Sequence, residues 1–251
     1  MVRNSISLIE DITQLILNSP KRHLVFQRIQ TDSAPDASNL RPLCPTRWTV
    51  RTGSINSILE NYQVLIETFQ EISATSKNEY RAKAEGIARK LQEFGTFFAL
   101  KLCSAVFSVS EQVSCVLQSK QANVQIAVNQ AAVLTAHFTR LRSETEFQLF
   151  YQNVLSASAE LTEEPELPRR RKIPKRFDPQ RTQHNFQSPE ELYPQQYFKV
   201  LDLLKEETTR RPWASTGFFP EGGRIFLKIL RLIWVHFCNQ EKIYFPCMST
   251  L

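Results

Sequence analysis

Glycine is scarce, at six in 251 residues. Tight hairpins and phosphate-cradling loops consume glycine because it enters the positive-φ region at no steric cost. The shortage therefore disfavours a β-rich or nucleotide-loop protein and favours helices. Aspartate is also sparse, limited to Asp11, Asp32, Asp36, Asp178 and Asp202. A two-metal nuclease needs two or three carboxylates converging from strands, so that paired ions stabilise both the attacking and the leaving oxygen. None of the five aspartates lies in a β-branched run of period two. The pairs Glu10-Asp11, Glu163-Glu164, Glu190-Glu191 and Glu206-Glu207 are adjacent in sequence, and adjacent helical residues diverge by about 100°. They read as solvated faces.

The five cysteines, Cys44, Cys103, Cys115, Cys238 and Cys247, form no CxxC pair, which disfavours a zinc module or a disulfide framework and fits reduced thiols. The histidines, His23, His137, His184 and His236, are scattered, and GxxxxGK, HExxH and GxSxG are all absent. No metal, cofactor or assembled catalytic group is expected. Met1-Val2-Arg3-Asn4-Ser5 leads into an amphipathic stretch instead of an apolar leader, so no secretory signal is expected. The apolar run Ile225 to Phe237 is broken by Lys228 and Arg231 and is shorter than the ~20 residues that span a bilayer. A membrane is therefore not an expected partner. Arg224, Lys228 and Arg231 share one helical face, which suits a partner or a lipid surface, or else a tail outside its native context.

What is present is enough apolar material, 42% of residues, to bury a sizeable core. A net charge of +6 and a pI near 9.1 suit a polyanionic partner, nucleic acid first.

Apolar spacing predicts a helix over residues 6–17, closed by Asn18-Ser19-Pro20, and a second through Leu24, Phe26 and Ile29. A proline-bearing loop over 31–45 then leads to Arg47-Trp48. From Ser54 to Ile72 one continuous stripe predicts a single helix. Another starts near Glu79, with Tyr80, Ala84, Ile87, Leu91 and Phe94 inward and Arg81, Lys83, Arg89 and Lys90 outward. A further one runs through Phe98, Leu102, Val106, Val109, Val113 and Val116. Residues 121–156 lack Gly and Pro and predict one long helix. Residues 162–189, with three glutamates, a basic run and several prolines, predict a linker. Ser188-Pro189 predicts a helix start, with Tyr197, Val200, Leu201 and Leu204 as its buried stripe.

The segment Cys44-Pro45-Thr46-Arg47-Trp48 resembles the C-x-T-R-W element of hAT-family transposases. Asn18 to His23, Glu79-Tyr80 with Gly86, Leu161 to Pro165, and Tyr193 to Leu204 with Gln196-Tyr197-Phe198 extend the likeness to the transposase-derived region of zinc finger MYM-type protein 1-like proteins, over roughly residues 4–210. The resemblance implies a mainly α chain: the helical insertion bundle of an RNase H-like transposase catalytic domain, with an incomplete remnant of that domain. The implied organisation is a remnant over 1–50, helical insertion over 51–160, basic proline-rich linker over 161–190, a continuing helix over 191–211, and a divergent tail over 212–251.

In that family the Arg-Trp element follows the first two catalytic aspartates, and the catalytic glutamate follows the insertion. The resemblance thus places both aspartates before Met1 and finds no counterpart of the glutamate in the tail after Pro212. It implies no catalytic residue here. Arg47 and Trp48 lie near the processed DNA end in the family, where a guanidinium binds phosphate and an indole stacks on an unpaired base. Packing of Trp48 against the first insertion helix and pairing of Arg47 with a carboxylate fit the same residues. Arg169, Arg170, Arg171, Lys172, Lys175 and Arg176 resemble a nuclear-localisation patch and also suit phosphate, or serve only as a solvated linker. The expected function is that of a nuclear, DNA-associated, transposase-derived protein without the acidic triad, with protein partners or self-association through its helices. A non-enzymatic interaction scaffold and a decayed or partial transposon gene product are the alternatives.

Overall fold

The computed structural model describes residues 1–43, 51–75, 79–117, 124–167 and 186–210. Among them are nine helices and no strand, so the chain is mainly α. Helix α1, Val2–Leu17, buries Ile6, Ile9, Ile12, Leu15 and Ile16 on one stripe. It stops where Pro20, which disfavours helical geometry in the residue before it, opens α2, Pro20–Ser33. Arg22 of α2 turns back and donates to the Leu15 carbonyl, one of the acceptors that the end of α1 leaves open.

The stripe from Ser54 to Ile72 is buried, but it belongs to two helices and not to the single one expected. Helix α3, Arg51–Glu60, and α4, Tyr62–Thr75, meet at Asn61. The Asn61 amide donates to the Ser57 carbonyl at 2.8 Å and to the Ser38 carbonyl at 2.7 Å, while its oxygen accepts from Gln30 at 2.9 Å. The Asn61 backbone still donates to the Ser57 carbonyl at 3.3 Å and accepts from the Leu65 N–H at 2.8 Å, so the interruption is local, at a turn where the side-chain amide shares the Ser57 acceptor.

Helix α5, Glu79–Gln92, buries Ala84, Ile87, Ala88 and Leu91. Two expectations change here. Tyr80 is 51% exposed, its ring covered by the Arg22 guanidinium at 4.6 Å, and Phe94 belongs to the next helix. Helix α6, Phe94–Leu117, contains the 20-residue stretch Phe94–Val113, apolar enough in composition to cross a membrane. That apolarity is used for packing: α1, α3, α5, α7 and α8 all lie against α6, and Phe97, Phe98, Leu100, Leu102 and Val106 are buried there. Val116, expected inward, is exposed near the end of the helix.

The long helix expected over 121–156 is also two: α7, Val124–Leu141, and α8, Glu144–Ser158. Ser143 caps α8, its hydroxyl accepting from the Glu146 N–H. Ser143-x-x-Glu146 is the spacing of a capping box, a start signal that the absence of Gly and Pro obscured. Helix α9, Pro189–Arg210, buries Tyr197, Val200, Leu201 and Leu204 as expected and lies against α7. Its first turn is held by the Glu191 carboxylate, which accepts from the Gln187 N–H at 2.9 Å, while the Ser188 carbonyl accepts from Glu191 and Leu192.

One buried cluster runs from Val2 to Leu204 and joins α1 and α2 to the later helices. Its far end is aromatic. Phe94 and Phe98 of α6, Phe147, Phe150 and Tyr151 of α8, and Tyr193, Tyr197 and Phe198 of α9 form a continuous net of ring contacts, with Phe94 and Tyr193 edge to face at 5.0 Å. Such pairs contribute about 0.5–1.5 kcal/mol each beyond the area they bury.

Candidate functional site

The residues proposed from sequence for DNA contact, Arg47, Trp48, Arg169, Arg170, Arg171, Lys172, Lys175 and Arg176, lie outside the described residues. So do Asp178, His184, His236 and the tail from residue 211. The flanks of the C-x-T-R-W element are described, and both are anchored. Gln30 donates to the Ala37 and Ser38 carbonyls at 3.1 and 3.2 Å, Ser54 donates to the Pro42 carbonyl at 2.9 Å, and the Arg41 N–H donates to the Ser57 hydroxyl at 3.2 Å. These bonds stitch the loop over 34–43 to α2 and α3. Leu43 and Arg51, immediately before and after residues 44–50, are both buried.

The described aspartates stand apart. Asp11 pairs with Lys83 at 3.4 Å across α1 and α5, Asp202 of α9 chelates Arg142 through both carboxylate oxygens, and Asp32 and Asp36 are exposed. Among the described residues no three His, Cys, Asp or Glu side chains are grouped to hold a metal ion. Burial pushes the Cys103 thiol up to about 12, which leaves no thiolate for nucleophilic attack near neutral pH. His137, at the edge of α7, is held below the usual imidazole range by partial burial, with Arg140 lowering it further and Glu146 opposing.

A groove of about 820 Å³ lies where α1, the α5–α6 junction and the segment after α8 meet. The Glu163 N–H donates to the Gln92 carbonyl at 2.8 Å, which fixes the segment over 163–167 beside the end of α5. Glu93, the one non-helical residue between α5 and α6, turns the chain, its carbonyl accepting from Thr96 and Phe97. Glu85, Glu93, Glu163, Glu164 and Glu166 rim the groove against a single side-chain cation, Arg89. Phe94, Gly95 and Tyr193 line its inner wall. A Cβ on Gly95 would stand 3.6 Å from the Tyr193 hydroxyl and 3.5 Å from the Met1 methyl, both ordinary van der Waals contacts. Sequence reasoning missed this site because its parts come from residues 1–5, 85–96, 163–167 and 193, and no local pattern connects them.

Comparison with known proteins yields no relative: no family model, no curated protein and no solved structure matches the chain.

Proposed function

We propose that this chain is a transposase-derived, DNA-associated nuclear protein that does not itself cleave DNA, and that the helical body is the insertion bundle of an RNase H-like transposase domain. The observation that carries the DNA reading is the separation of charge. The eight residues Arg169 to Arg176 hold six Lys and Arg and no acid, whereas the described residues hold 16 Lys and Arg against 22 Asp and Glu, a net of −6. Acidic surface repels a polyanion and a basic run attracts it, so phosphate contact is assigned to Arg47 and the run Arg169 to Arg176. The stitched loop over 34–43 supports the same reading, since it holds both flanks of the Arg-Trp element against the core.

Binding of a fluorescent DNA duplex to the full chain, followed by anisotropy across a salt series, tests the proposal. Affinity is expected to fall as salt rises, and the slope shrinks by roughly 0.9 for every phosphate that a variant no longer neutralises on duplex DNA. Replacing Arg169, Arg170, Arg171, Lys172, Lys175 and Arg176 together by Ala is expected to flatten the slope strongly, and Arg47→Ala to flatten it by the share of about one phosphate. Undetectable binding at low salt, or a slope unmoved by both changes, refutes it.

A further inference from the structure

We propose that the first turn of α3, with Arg41 lying across it, is a binding site for a phosphoryl group. The site rests on the DNA reading for the source of that group, the DNA backbone.

Arg41 is held at this turn by its own backbone. Its N–H donates to the Ser57 hydroxyl at 3.2 Å, and the carbonyl of Pro42 accepts from Ser54 at 2.9 Å, so residues 41 and 42 run beside α3. The side chain then lies on Gly53, where a Cβ would stand 3.2 Å from the Arg41 Nη1, tighter than ordinary van der Waals contact. A residue without a side chain is what lets the guanidinium approach the helix backbone so closely. For a cation this is an unfavourable place, because the N-terminal end of a helix carries partial positive charge and open N–H donors. The chain supplies no local counter-charge. The first turn of α3 contains no acidic residue, and the sequence from Ala37 to Leu59 contains three arginines and no Asp or Glu. The Arg41 side chain, which is exposed, has no ion-pair partner among the described residues.

Thr52 supplies an independent pointer. It is 8% exposed, and its buried hydroxyl has no hydrogen-bond partner. Thr13, Thr68, Thr135 and Thr208, deeper in their helices, each donate to the carbonyl four residues before them. Thr52 is the second residue of α3, so no carbonyl of its own helix lies behind it. Helical side chains lean toward the N-terminal end, which aims this hydroxyl at the end that Arg41 covers. A buried hydroxyl is nearly always bonded, and an open one marks a place where a ligand, ion or water supplies the partner.

These features select among ligands. A cation is repelled by Arg41 and by the helix end, and an apolar group leaves the open donors unmet. A carboxylate has two oxygens, which a guanidinium occupies by itself. A phosphoryl group has oxygens for both donors: with Arg41 swung off Gly53, one edge takes the guanidinium while another oxygen accepts from Thr52 and the first-turn N–H groups.

The test is anisotropy of a fluorescent DNA duplex titrated with the full chain across a salt series. Arg41→Gln is expected to lower the salt slope by about 0.9, the share of one phosphate, and Lys90→Gln, an exposed cation of α5, to leave it unchanged. Thr52→Val keeps the shape and removes the hydroxyl. It should weaken binding about threefold or more while raising the melting temperature, because an unpartnered buried hydroxyl costs stability. A threonine that only packs would not separate those two readouts. Gly53→Ala suits a helix better, yet should weaken binding to a similar extent by displacing the guanidinium. DNA binding with a slope unmoved by Arg41→Gln, or with an affinity unmoved by Thr52→Val, overturns the phosphoryl site and leaves the DNA reading standing. If the wild-type chain binds no DNA, the DNA reading falls and inorganic phosphate decides the site. A rise in melting temperature over chloride at equal ionic strength, abolished by Arg41→Gln and by Thr52→Val, supports it; no such rise overturns it.

Discussion

The two ends of the core solve the same packing problem with different materials. Around α1 to α5 the buried side chains are mostly aliphatic, including Ile6, Ile9, Ile12, Ile55, Ile58, Leu65, Ile72, Ile87 and Leu91, and a polar knot of Gln30, Ser38, Ser57 and Asn61 is set among them. Where α6, α8 and α9 meet, eight aromatic rings fill the space and no comparable knot occurs among the described residues. Aliphatic contacts are weakly directional, so an aliphatic interface tolerates sliding unless something fixes its register. Rings have preferred edge-to-face and offset geometries of their own. The aliphatic end therefore takes its register from buried hydrogen bonds, and the aromatic end takes it from the rings.

The contrast breaks most visibly at Phe98, which touches Phe94, Phe150, Tyr151 and Tyr193 at once. Phe98→Ala is expected to cost about 3–5 kcal/mol of unfolding free energy, measured by urea denaturation. A loss below about 1 kcal/mol would show that the ring net does not hold α6 to α8 and α9. At the aliphatic end, Asn61→Ala leaves the Gln30 amide and the Ser38 carbonyl short of a partner, and about 1–3 kcal/mol is expected in the same assay. If Asn61→Leu is as stable as the wild type, the knot is dispensable and register there comes from shape alone. The smallest effect belongs to the surface pair that borders the aromatic end. A double-mutant cycle on Arg142 and Asp202, both nearly half exposed, is expected to give a coupling under about 1 kcal/mol that fades as salt rises. A larger, salt-insensitive coupling would mean that the stacking of Arg142 over Phe198, at 5.2 Å, joins the pair to the ring net.

The same division explains what is legible in the sequence. A mainly α chain and the buried stripes of α1, α5 and α9 are legible because apolar residues recur at helical spacing, and local periodicity is enough to see them. The break at Asn61 is not. Asn61 interrupts no apolar stripe, and two of its partners, Gln30 and Ser38, lie 31 and 23 residues away. The break before α8 is written in Ser143 and Glu146, but one polar capping signal is outweighed by a long run without Gly or Pro. Tyr80 reads as a core residue because periodicity cannot register that Arg22, on another helix, covers its ring from outside. Of the groove, only the glutamate pair Glu163-Glu164 stands out in the sequence, as a solvated face.

The stitching of the loop over 34–43 to α3 also bears on entropy. Residues 44–50 depart from a buried Leu43 and return to a buried Arg51, so the ends of this seven-residue span are set by the folding of the helices around it. Joining the ends of a free chain costs conformational freedom that any contact made within it must first overcome. Here that cost is met by the hydrogen bonds of Gln30, Ser54 and Ser57, before residues 44–50 make any contact of their own.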